Sequence, residues 1–374
     1  MLDGRRFRGA KLRKEKDVII HRALRTPAVH GGLNRIGVIM TKETLNKTLS
    51  KARENKNDDF YTQLTDIEKE LKHYKNHFKD KVVFCNCDDP RVSNFFHYFS
   101  YNFEKLGLKK LITTCYKNRE MDLFSKNEAE QAIYLEYNGD KSGNNVPDLE
   151  EIGIKYLKGD GDFRSKESIE LLKEADIVVT NPPFSLFREY VAQLIEYKKK
   201  FIIIGSQNAF TYRDIFTLFR DNKIWTGVDN GGTKWFEVPP GYDIQTKSRI
   251  KIENGKKYFS MGSIFWFTNL DHSKRHEELI LYKQYSDNEK EYPKYDNYDA
   301  IEVATYKDIP SDYDGVMGVP ITFLDKYNPE QFEIVGLIAG NIKGLAGIPS
   351  ATGKDGPYMN GKLKYGRILI RRRG

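Results

Sequence analysis

The chain has few of the features that would place it in a membrane or in an oxidising compartment. It has three cysteines, Cys85, Cys87 and Cys115. This number is small and odd, which does not suit a disulfide framework. No run of about eighteen apolar residues occurs, and the basic N-terminus lacks the apolar stretch of a secretory signal. We therefore expect a globular chain with thiols rather than disulfides, no membrane span and a cytoplasmic location.

Positive charge is concentrated at one end of the chain. The net charge is +8, from 61 basic and 53 acidic residues. Residues 1–39 hold ten of the basic and three of the acidic residues, which leaves 51 basic against 50 acidic in the rest. Because this remainder is nearly neutral, contacts with nucleic acid would have to come from local patches. Residues 1–39 lack helical or strand periodicity, and we interpret them as a disordered basic extension that ends before Met40.

Helical and strand patterns alternate from Met40 to residue 210. A capping box formed by Thr65 and Glu68 predicts a helix, with Ile67, Leu71, Tyr74 and Phe78 on its apolar face. The predicted strands are 81–86, 111–116, 132–137, 176–180 and 201–205, and helices are predicted over 91–106, 167–175 and 187–197. Apolar strands joined by amphipathic helices predict an α/β fold with a mainly parallel sheet covered on both faces. Ligands bind such sheets beyond the carboxyl ends of the strands.

The character of the sequence changes after residue 210, where Trp, Gly, Pro and Tyr become dense. We predict one domain over 40–210 and a β-rich region over 211–374 that ends in a strand, GRILIRRR. The glycine-rich run 336–356 is expected to be a mobile loop. The clearest element is a hairpin at 249–260, where Asn254-Gly255 suits a tight turn. This hairpin is locally basic through Arg249, Lys251, Lys256 and Lys257, which suits either a nucleic-acid contact or a solvated edge.

The segment DIVVTNPPF at 176–184 carries the most specific chemical signal. An apolar strand ends in Asn181, Pro182, Pro183 and Phe184. The prolines fix φ and lack N–H donors, so the turn presents carbonyl oxygens and the Asn181 side-chain oxygen as acceptors. Two acceptors on the N–H bonds of a planar amine such as adenine N6 favour a pyramidal nitrogen whose lone pair faces a methyl donor. Phe184 would stack on the base, and the alternative is a turn that only ends a strand.

With the segments DDFYTQL (58–64), VVFCNCDDPRVSNFFHYF (82–99) and RILIRR (367–372), this motif resembles the EcoRI-type adenine-specific DNA methyltransferases over residues 40–373. The resemblance implies a Rossmann-like catalytic domain that binds S-adenosylmethionine, and DNA target recognition in the second half. It implies site-specific N6 methylation of an adenine flipped out of double-stranded DNA, in a restriction-modification or mobile-element context. A restriction endonuclease acting on the same site is then a candidate partner.

The resemblance also suggests residues for the cofactor. Phe60, Tyr61 and Thr62 match the segment that lines the methionine side of the pocket. Common methyltransferases have a glycine-rich turn after the first strand, whereas this chain has CNCDDP; Asn86, Asp88 and Asp89 are therefore the candidates for the amino-acid end. A segment like GDGDF (159–163) contacts the cofactor's adenine in related enzymes, which makes Asp160, Asp162 and Phe163 candidates. No metal site is predicted, because the Cys-x-Cys pair lacks further ligands at a recognisable spacing.

Other functions remain compatible with the Asn-Pro-Pro-Phe motif. The amino nitrogen of an RNA adenine and the amide nitrogen of a protein glutamine are also planar. A non-catalytic DNA-binding relative would keep the β-rich region over 211–374 but lack a working cofactor pocket. The size of that region favours DNA over RNA or protein. Cytosine C5 methylation is not expected, because the chain has no Pro-Cys pair to supply its nucleophile. The sequence indicates neither the recognition site nor the oligomeric state.

Overall fold

The computed structural model describes residues 61–87, 93–114, 132–143, 147, 151–238, 249–260, 262–340 and 342–373. Among the predicted features, Phe60, Asp88, Asp89, Cys115 and the extension 1–39 lie outside these residues. The described chain forms two compact units. The first comprises residues within 61–71, 75–185 and 234–260, and the second residues within 72–74, 186–233 and 262–373. Both units draw on sequence from either side of residue 210, so they divide the chain differently from the predicted domains, whose functional assignment stays a prediction.

The helices and strands are numbered along the chain. The α-helices are α1 Leu64–Leu71, α2 Asn94–Tyr101, α3 Phe103–Leu106, α4 Lys166–Glu174, α5 Phe187–Glu196 and α6 Arg213–Arg220. Short 3-10 helices are Lys75–His77, Phe184–Leu186, Gln207–Thr211, Ser273–His276, Glu289–Glu291, Tyr306–Asp308 and Ile321–Lys326. The strands are β1 Tyr61–Thr62, β2 Val82–Asn86, β3 Lys110–Thr114, β4 Ile133–Tyr137, β5 Ile152–Tyr156, β6 Ile177–Thr180, β7 Lys200–Ser206, β8 Trp225–Thr226, β9 Phe236–Glu237, β10 Ile250–Glu253, β11 Lys256–Phe259, β12 Ile264–Thr268, β13 Ile301–Glu302, β14 Met317–Pro320, β15 Phe332–Ile338, β16 Tyr358–Met359, β17 Lys362–Leu363 and β18 Arg367–Arg372.

The main sheet of the first unit contains both parallel and antiparallel strand pairs. Its strands follow the order β5-β4-β3-β2-β6. Strand β2 pairs in parallel with β3 and β6, whereas β4 is antiparallel to both β3 and β5. The α/β class with parallel strands is therefore confirmed, and the predicted parallel arrangement holds for the two pairs that β2 makes but not for the two that β4 makes. The reason is physical, because an apolar run identifies a strand but carries no information on its direction.

The first helix differs from the predicted capping box. Helix α1 begins at Leu64, and the backbone N–H groups of Asp66 and Ile67 donate to the Gln63 carbonyl. Thr65 therefore lies within the first turn and not at the N-cap. The helix ends at Leu71, and a 3-10 turn at Lys75–His77 follows. The predicted apolar residues, from Ile67 to Phe78, are nevertheless all fully buried.

A smaller antiparallel sheet of the first unit contains the predicted basic hairpin. Its order is β1-β9-β11-β10. Strands β10 and β11 form the hairpin, and the turn residues Asn254 and Gly255 have φ values of 50° and 74°, as a type I′ turn requires. One register row joins Thr62, Phe236 and Phe259. The sheet thus brings a segment that precedes the main sheet in sequence together with one that follows it.

The second unit is built on antiparallel pairs. Strand β12 lies between β7 and β8 and is antiparallel to both. A second sheet has the order β13-β14-β18-β15, in which only the β13–β14 pair is parallel. The predicted final strand is β18. Within the described chain, no helix has both the length and the apolar character needed to cross a membrane.

The glycine-rich run of the second unit makes backbone hydrogen bonds to its neighbours, and its mobility stays a prediction. The Leu337 N–H donates to the Leu345 carbonyl at 2.7 Å, and the Ala351 N–H donates to the Asn297 carbonyl at 2.9 Å. Gly347 has a φ of 72°, and a Cβ there would lie 2.1 Å from the Val335 carbonyl oxygen. This glycine therefore permits close approach to β15, a role that composition alone does not distinguish from flexibility.

Candidate active site

Two strand ends meet at the predicted ligand-binding edge of the first unit. Strands β2 and β6 are parallel neighbours, and the Thr180 hydroxyl donates to the Asn86 carbonyl. Asn86 ends β2 and Asn181 directly follows β6, so the two residues lie at adjacent strand ends, and both are buried. Polar side chains at the ends of fully buried strands are typical of a binding edge in an α/β sheet.

A third segment leaves the sheet at the same edge. Because β4 is antiparallel to both β3 and β5, strand β5 runs in the direction of β2 and β3. The GDGDF segment follows β5 and so begins at the edge where β2 and β6 end. Three inter-strand spacings separate β5 from β2, or roughly 14 Å. This separation suits an elongated ligand, such as a nucleoside joined to an amino acid.

The Asn-Pro-Pro-Phe motif ends β6 and begins a 3-10 turn. Pro182 is buried, whereas Pro183 and Phe184 are partly exposed. The Phe184 ring meets the Phe236 ring edge to face, with centroids 6.5 Å apart and an interplanar angle of 89°. Phe236 lies in β9, a two-residue strand that is too short to show a periodic pattern. Sequence reasoning missed this contact.

Phe236 also links the motif to the predicted cofactor segment. It pairs with Thr62 across the β1–β9 ladder, and the Asn94 amide donates to the Thr62 carbonyl at 2.7 Å. Thr62 is 2% exposed, and its hydroxyl oxygen has no hydrogen-bond partner among the described residues. Burial of such a hydroxyl without a partner costs free energy, so a ligand atom is the natural complement.

The GDGDF segment is held by its own side chains. Both Asp162 carboxylate oxygens accept from the Arg164 guanidinium, at 2.8 and 2.6 Å, and Asp160 accepts from the Asp162 N–H at 3.1 Å. Phe163 is buried, with the Arg164 guanidinium 5.2 Å from its ring centroid. Asp160 is exposed. In this arrangement, Asp160 is the more accessible of the two carboxylates.

Glu167, which sequence reasoning did not single out, fixes the entry to this segment. Its carboxylate accepts from the N–H groups of Lys158, at 3.1 Å, and Gly159, at 2.9 Å. These backbone hydrogen bonds lower the pKa of Glu167 below its ordinary value, because they stabilise the charged form. Helix α4 thus holds the loop through a side chain in its first turn.

The cations of the basic hairpin are engaged with neighbouring groups. The Lys251 ammonium lies 2.8 Å from Glu253, and 5.0 and 5.4 Å from the ring centroids of Tyr258 and Trp235. Lys256 pairs with Glu237 at 2.8 Å. Exposed ion pairs of this kind contribute about 0–1 kcal/mol, so a phosphate can replace the carboxylate at little cost.

Two further hairpin residues complete the predicted set. Lys257 lies on the opposite face of the sheet from Lys251 and pairs in register with Ile252, which is 75% exposed. Arg249 has a buried Nη1 atom without a hydrogen-bond partner in the described chain. The predicted DNA contacts are therefore split between the two faces of the hairpin.

Comparison with known proteins identifies the family. The model of the EcoRI adenine-specific methyltransferases matches residues 48–373. The chain belongs to this family. Membership confirms the predicted resemblance and the enzyme class, an adenine-specific methyltransferase with S-adenosylmethionine as methyl donor.

Curated relatives of this adenine-specific methyltransferase match along nearly their whole length. The type II methyltransferase M.EcoRI of Escherichia coli is 52% identical over 89% of this chain and 98% of its own. The type II methyltransferase M.MgeORF184P of Mycoplasma genitalium is 40% identical over 86% of this chain and 98% of its own. M.MpnI of Mycoplasma pneumoniae, also a type II methyltransferase, is 38% identical over 87% of this chain and 98% of its own.

Proposed function

We propose that this methyltransferase acts as a type II enzyme on double-stranded DNA and methylates N6 of an adenine within a specific sequence. The proposal rests on one observation above all. The Asn-Pro-Pro-Phe motif and Thr62 are joined through Phe236 in one compact unit. A base-binding turn and a candidate cofactor segment are thereby held together, as methyl transfer between two bound molecules requires.

The motif residues bind and orient the target amine. The Asn181 side-chain oxygen and a carbonyl oxygen of the proline turn accept its two N–H bonds, and neither Pro182 nor Pro183 offers a competing donor. These acceptors favour a nitrogen whose lone pair points away from the ring, which stabilises the transition state more than the ground state. Phe184 stacks on the flipped base. S-adenosylmethionine supplies the methyl group.

The candidate cofactor residues fit such a ligand in their chemistry. The buried Thr62 hydroxyl and the Asn86 amide offer hydrogen bonds to the amino-acid end. The exposed Asp160 carboxylate accepts from an amino group or a ribose hydroxyl, and Asp162 and Phe163 support the same loop. Tyr61 lies beside Thr62 in β1. Phe60, Asp88 and Asp89 complete the proposed set.

The DNA contacts are proposed for the second half of the sequence, on the basic hairpin. Arg249, Lys251, Lys256 and Lys257 supply the cations, which hold DNA by neutralising phosphates and releasing counterions. The type II character of the relatives supports a restriction-modification role. A cognate endonuclease is then the expected partner, because methylation protects DNA only when both enzymes read the same site.

Replacement of Asn181 tests the proposed chemistry. Asn181→Ala removes one acceptor of the reacting amine, so we expect methylation to fall at least about 100-fold, with affinity for S-adenosylmethionine nearly unchanged. Methyl incorporation into DNA and into RNA gives the activity, and calorimetry gives the affinity. Asn288→Ala, an exposed asparagine outside the site, serves as the matched control. Equal loss of both quantities would move Asn181 to the cofactor pocket, and methylation of RNA alone would refute the DNA substrate.

A further inference from the structure

A second hairpin, in the second unit, shares with the basic hairpin an Asn-Gly turn and nearby lysines, but its lysines differ in their ion pairs. Strands β16 and β17 are joined by Asn360 and Gly361, with φ values of 50° and 73°. Residues 342–366 around it contain four lysines against one acid, Asp355; the lysines are Lys343, Lys354, Lys362 and Lys364. No role for this hairpin follows from the sequence motifs or from family membership.

The lysines of the second hairpin lack anionic partners. Lys354, Lys362 and Lys364 are exposed, and no carboxylate of the described residues lies within 4.0 Å of their ammonium groups. On the basic hairpin, by contrast, Lys251 and Lys256 both pair with glutamates. The Lys354 ammonium instead lies 5.1 Å from the Tyr358 ring centroid. Like charges gathered without counter-charges repel one another, and an anionic ligand would relieve that repulsion.

The backbone of the second hairpin is held by hydrogen bonds from the side chains of Asp296 and Asn297. The Asp296 carboxylate accepts from the N–H groups of Asn360, at 3.1 Å, and Gly361, at 2.8 Å. The fully buried Asn297 amide donates to the carbonyls of Lys354, at 3.0 Å, and Gly356, at 2.9 Å. A backbone fixed in this way adds no ordering cost of its own on binding, so that only the side chains lose freedom.

Strand alternation directs the cations to one side. The Leu363 side chain packs against Gly340 and Gly356, where an added Cβ would lie 2.8 and 2.7 Å from it. Strand β17 ends at Leu363, and the Lys364 N–H donates to the Pro357 carbonyl at 2.8 Å, which continues the pairing by one residue. Lys362 and Lys364 flank Leu363 and so project to the opposite side, about 7 Å apart. Tyr365 follows and is 81% exposed. Two cations at this spacing, beside an aromatic hydroxyl, match successive phosphates of a nucleic-acid strand, which accept hydrogen bonds from Lys and Tyr.

We propose that this second hairpin, residues 354–365, binds the phosphate backbone of duplex DNA through Lys362 and Lys364, with Lys354 and Tyr365 in support. The inference rests on the proposed action on DNA. Its contacts are independent of sequence, because phosphates carry no base information. The hairpin therefore adds affinity without adding specificity.

The test is a salt titration of the intact protein on a mixed-sequence duplex. Each phosphate contact contributes about −0.9 to the slope of log affinity against log salt. The Lys362→Ala/Lys364→Ala variant should flatten that slope by about 1.8 units, so that its affinity falls about 12-fold less than that of the parent between about 50 and 200 mM salt. Affinity for S-adenosylmethionine, measured in parallel, should not change.

A matched control carries the same charge change elsewhere in the second unit. In the Lys290→Ala/Lys307→Ala variant, both lost lysines are exposed; Lys290 lies between Glu289 and Glu291, and Lys307 precedes Asp308. We expect the parent's slope. The same slope in the Lys362→Ala/Lys364→Ala variant would overturn the inference, even while the parent methylates DNA. A parent that neither binds nor methylates duplex DNA would overturn the proposed function itself, so the two failures are distinguishable.

Discussion

The proposed chemistry depends on a few single residues, and their contacts in the folded unit bring the parts of the candidate site together. The motif Asn181-Pro182-Pro183-Phe184 could be proposed from sequence because four consecutive residues after an apolar strand form a recognisable signal. Phe236 could not, since it lies far along the chain from both Phe184 and Thr62 and meets them only in the folded unit. The Arg164 pairing with Asp162 was equally hidden, because a charge pattern does not reveal which carboxylate is engaged.

Phe184 provides a test of base capture at this scale. Stacking of an aromatic side chain on a base is worth about 1–3 kcal/mol, so Phe184→Ala should raise the KM for DNA by roughly 5- to 150-fold. Steady-state methylation at varied DNA concentration measures the change. Phe184→Tyr keeps the ring and should stay close to the parent. Parental efficiency in the alanine variant would rule out stacking as the role of Phe184.

Elements of secondary structure were easier to predict than their directions. Strands β2, β3, β4, β6 and β7 all lie within one or two residues of their predicted positions where the chain is described. Strand β5 was not predicted, and β4 proved antiparallel. Strand direction depends on how the connections cross the sheet, which hydrophobic periodicity does not encode.

The antiparallel strands create a charge network that makes stability depend on pH. Glu136 of β4 accepts from Lys110 of β3 and from Lys155 of β5, and these hydrogen bonds lower the pKa of Glu136 from its ordinary 4.5. A lowered carboxyl pKa contributes stability above the unfolded value, and that stability is lost as the pH falls through the folded value. The network should therefore stabilise the sheet at neutral pH and not in acid.

Glu136→Gln measures this contribution. We expect the variant to lose about 1 kcal/mol of unfolding free energy at neutral pH, and the difference from the parent to disappear as the pH falls through the lowered pKa of Glu136. Urea denaturation at several pH values gives both numbers. Glu170→Gln, which removes a carboxylate that pairs with Lys173 on the surface of α4, is the control and should show a smaller effect. A difference that persists unchanged in acid would exclude the charge network as its source.

At the scale of the whole molecule, the order of segments in sequence is not their order in space. The sheet that contains Tyr61 and Thr62 is completed by residues 236–259, beyond the predicted domain boundary at residue 210. The remainder after the basic extension is nearly neutral. DNA affinity must then come from separate patches, and the two basic hairpins are the ones we propose.

Truncation at residue 210 tests this interleaving. The fragment keeps every candidate cofactor residue but loses strands β9 to β11, so we expect it to bind S-adenosylmethionine much more weakly than the intact chain. Phe236→Ala in the intact chain is the single-site counterpart and should also lower the affinity. Calorimetry measures both. Parental affinity in the fragment would mean that the smaller sheet is dispensable for the cofactor.

The support of the second hairpin by Asp296 and Asn297 has a consequence for how this surface can change. The two residues hold backbone groups and touch none of the lysine ammonium groups, so the presented charge and the scaffold that presents it are encoded separately. We therefore expect Lys362 and Lys364 to be replaceable by other residues with the turn intact. Substitutions at these two positions would therefore change the affinity for a polyanion in graded steps, or the ligand that the hairpin binds, while the Asp296-Asn297 dipeptide stays the same.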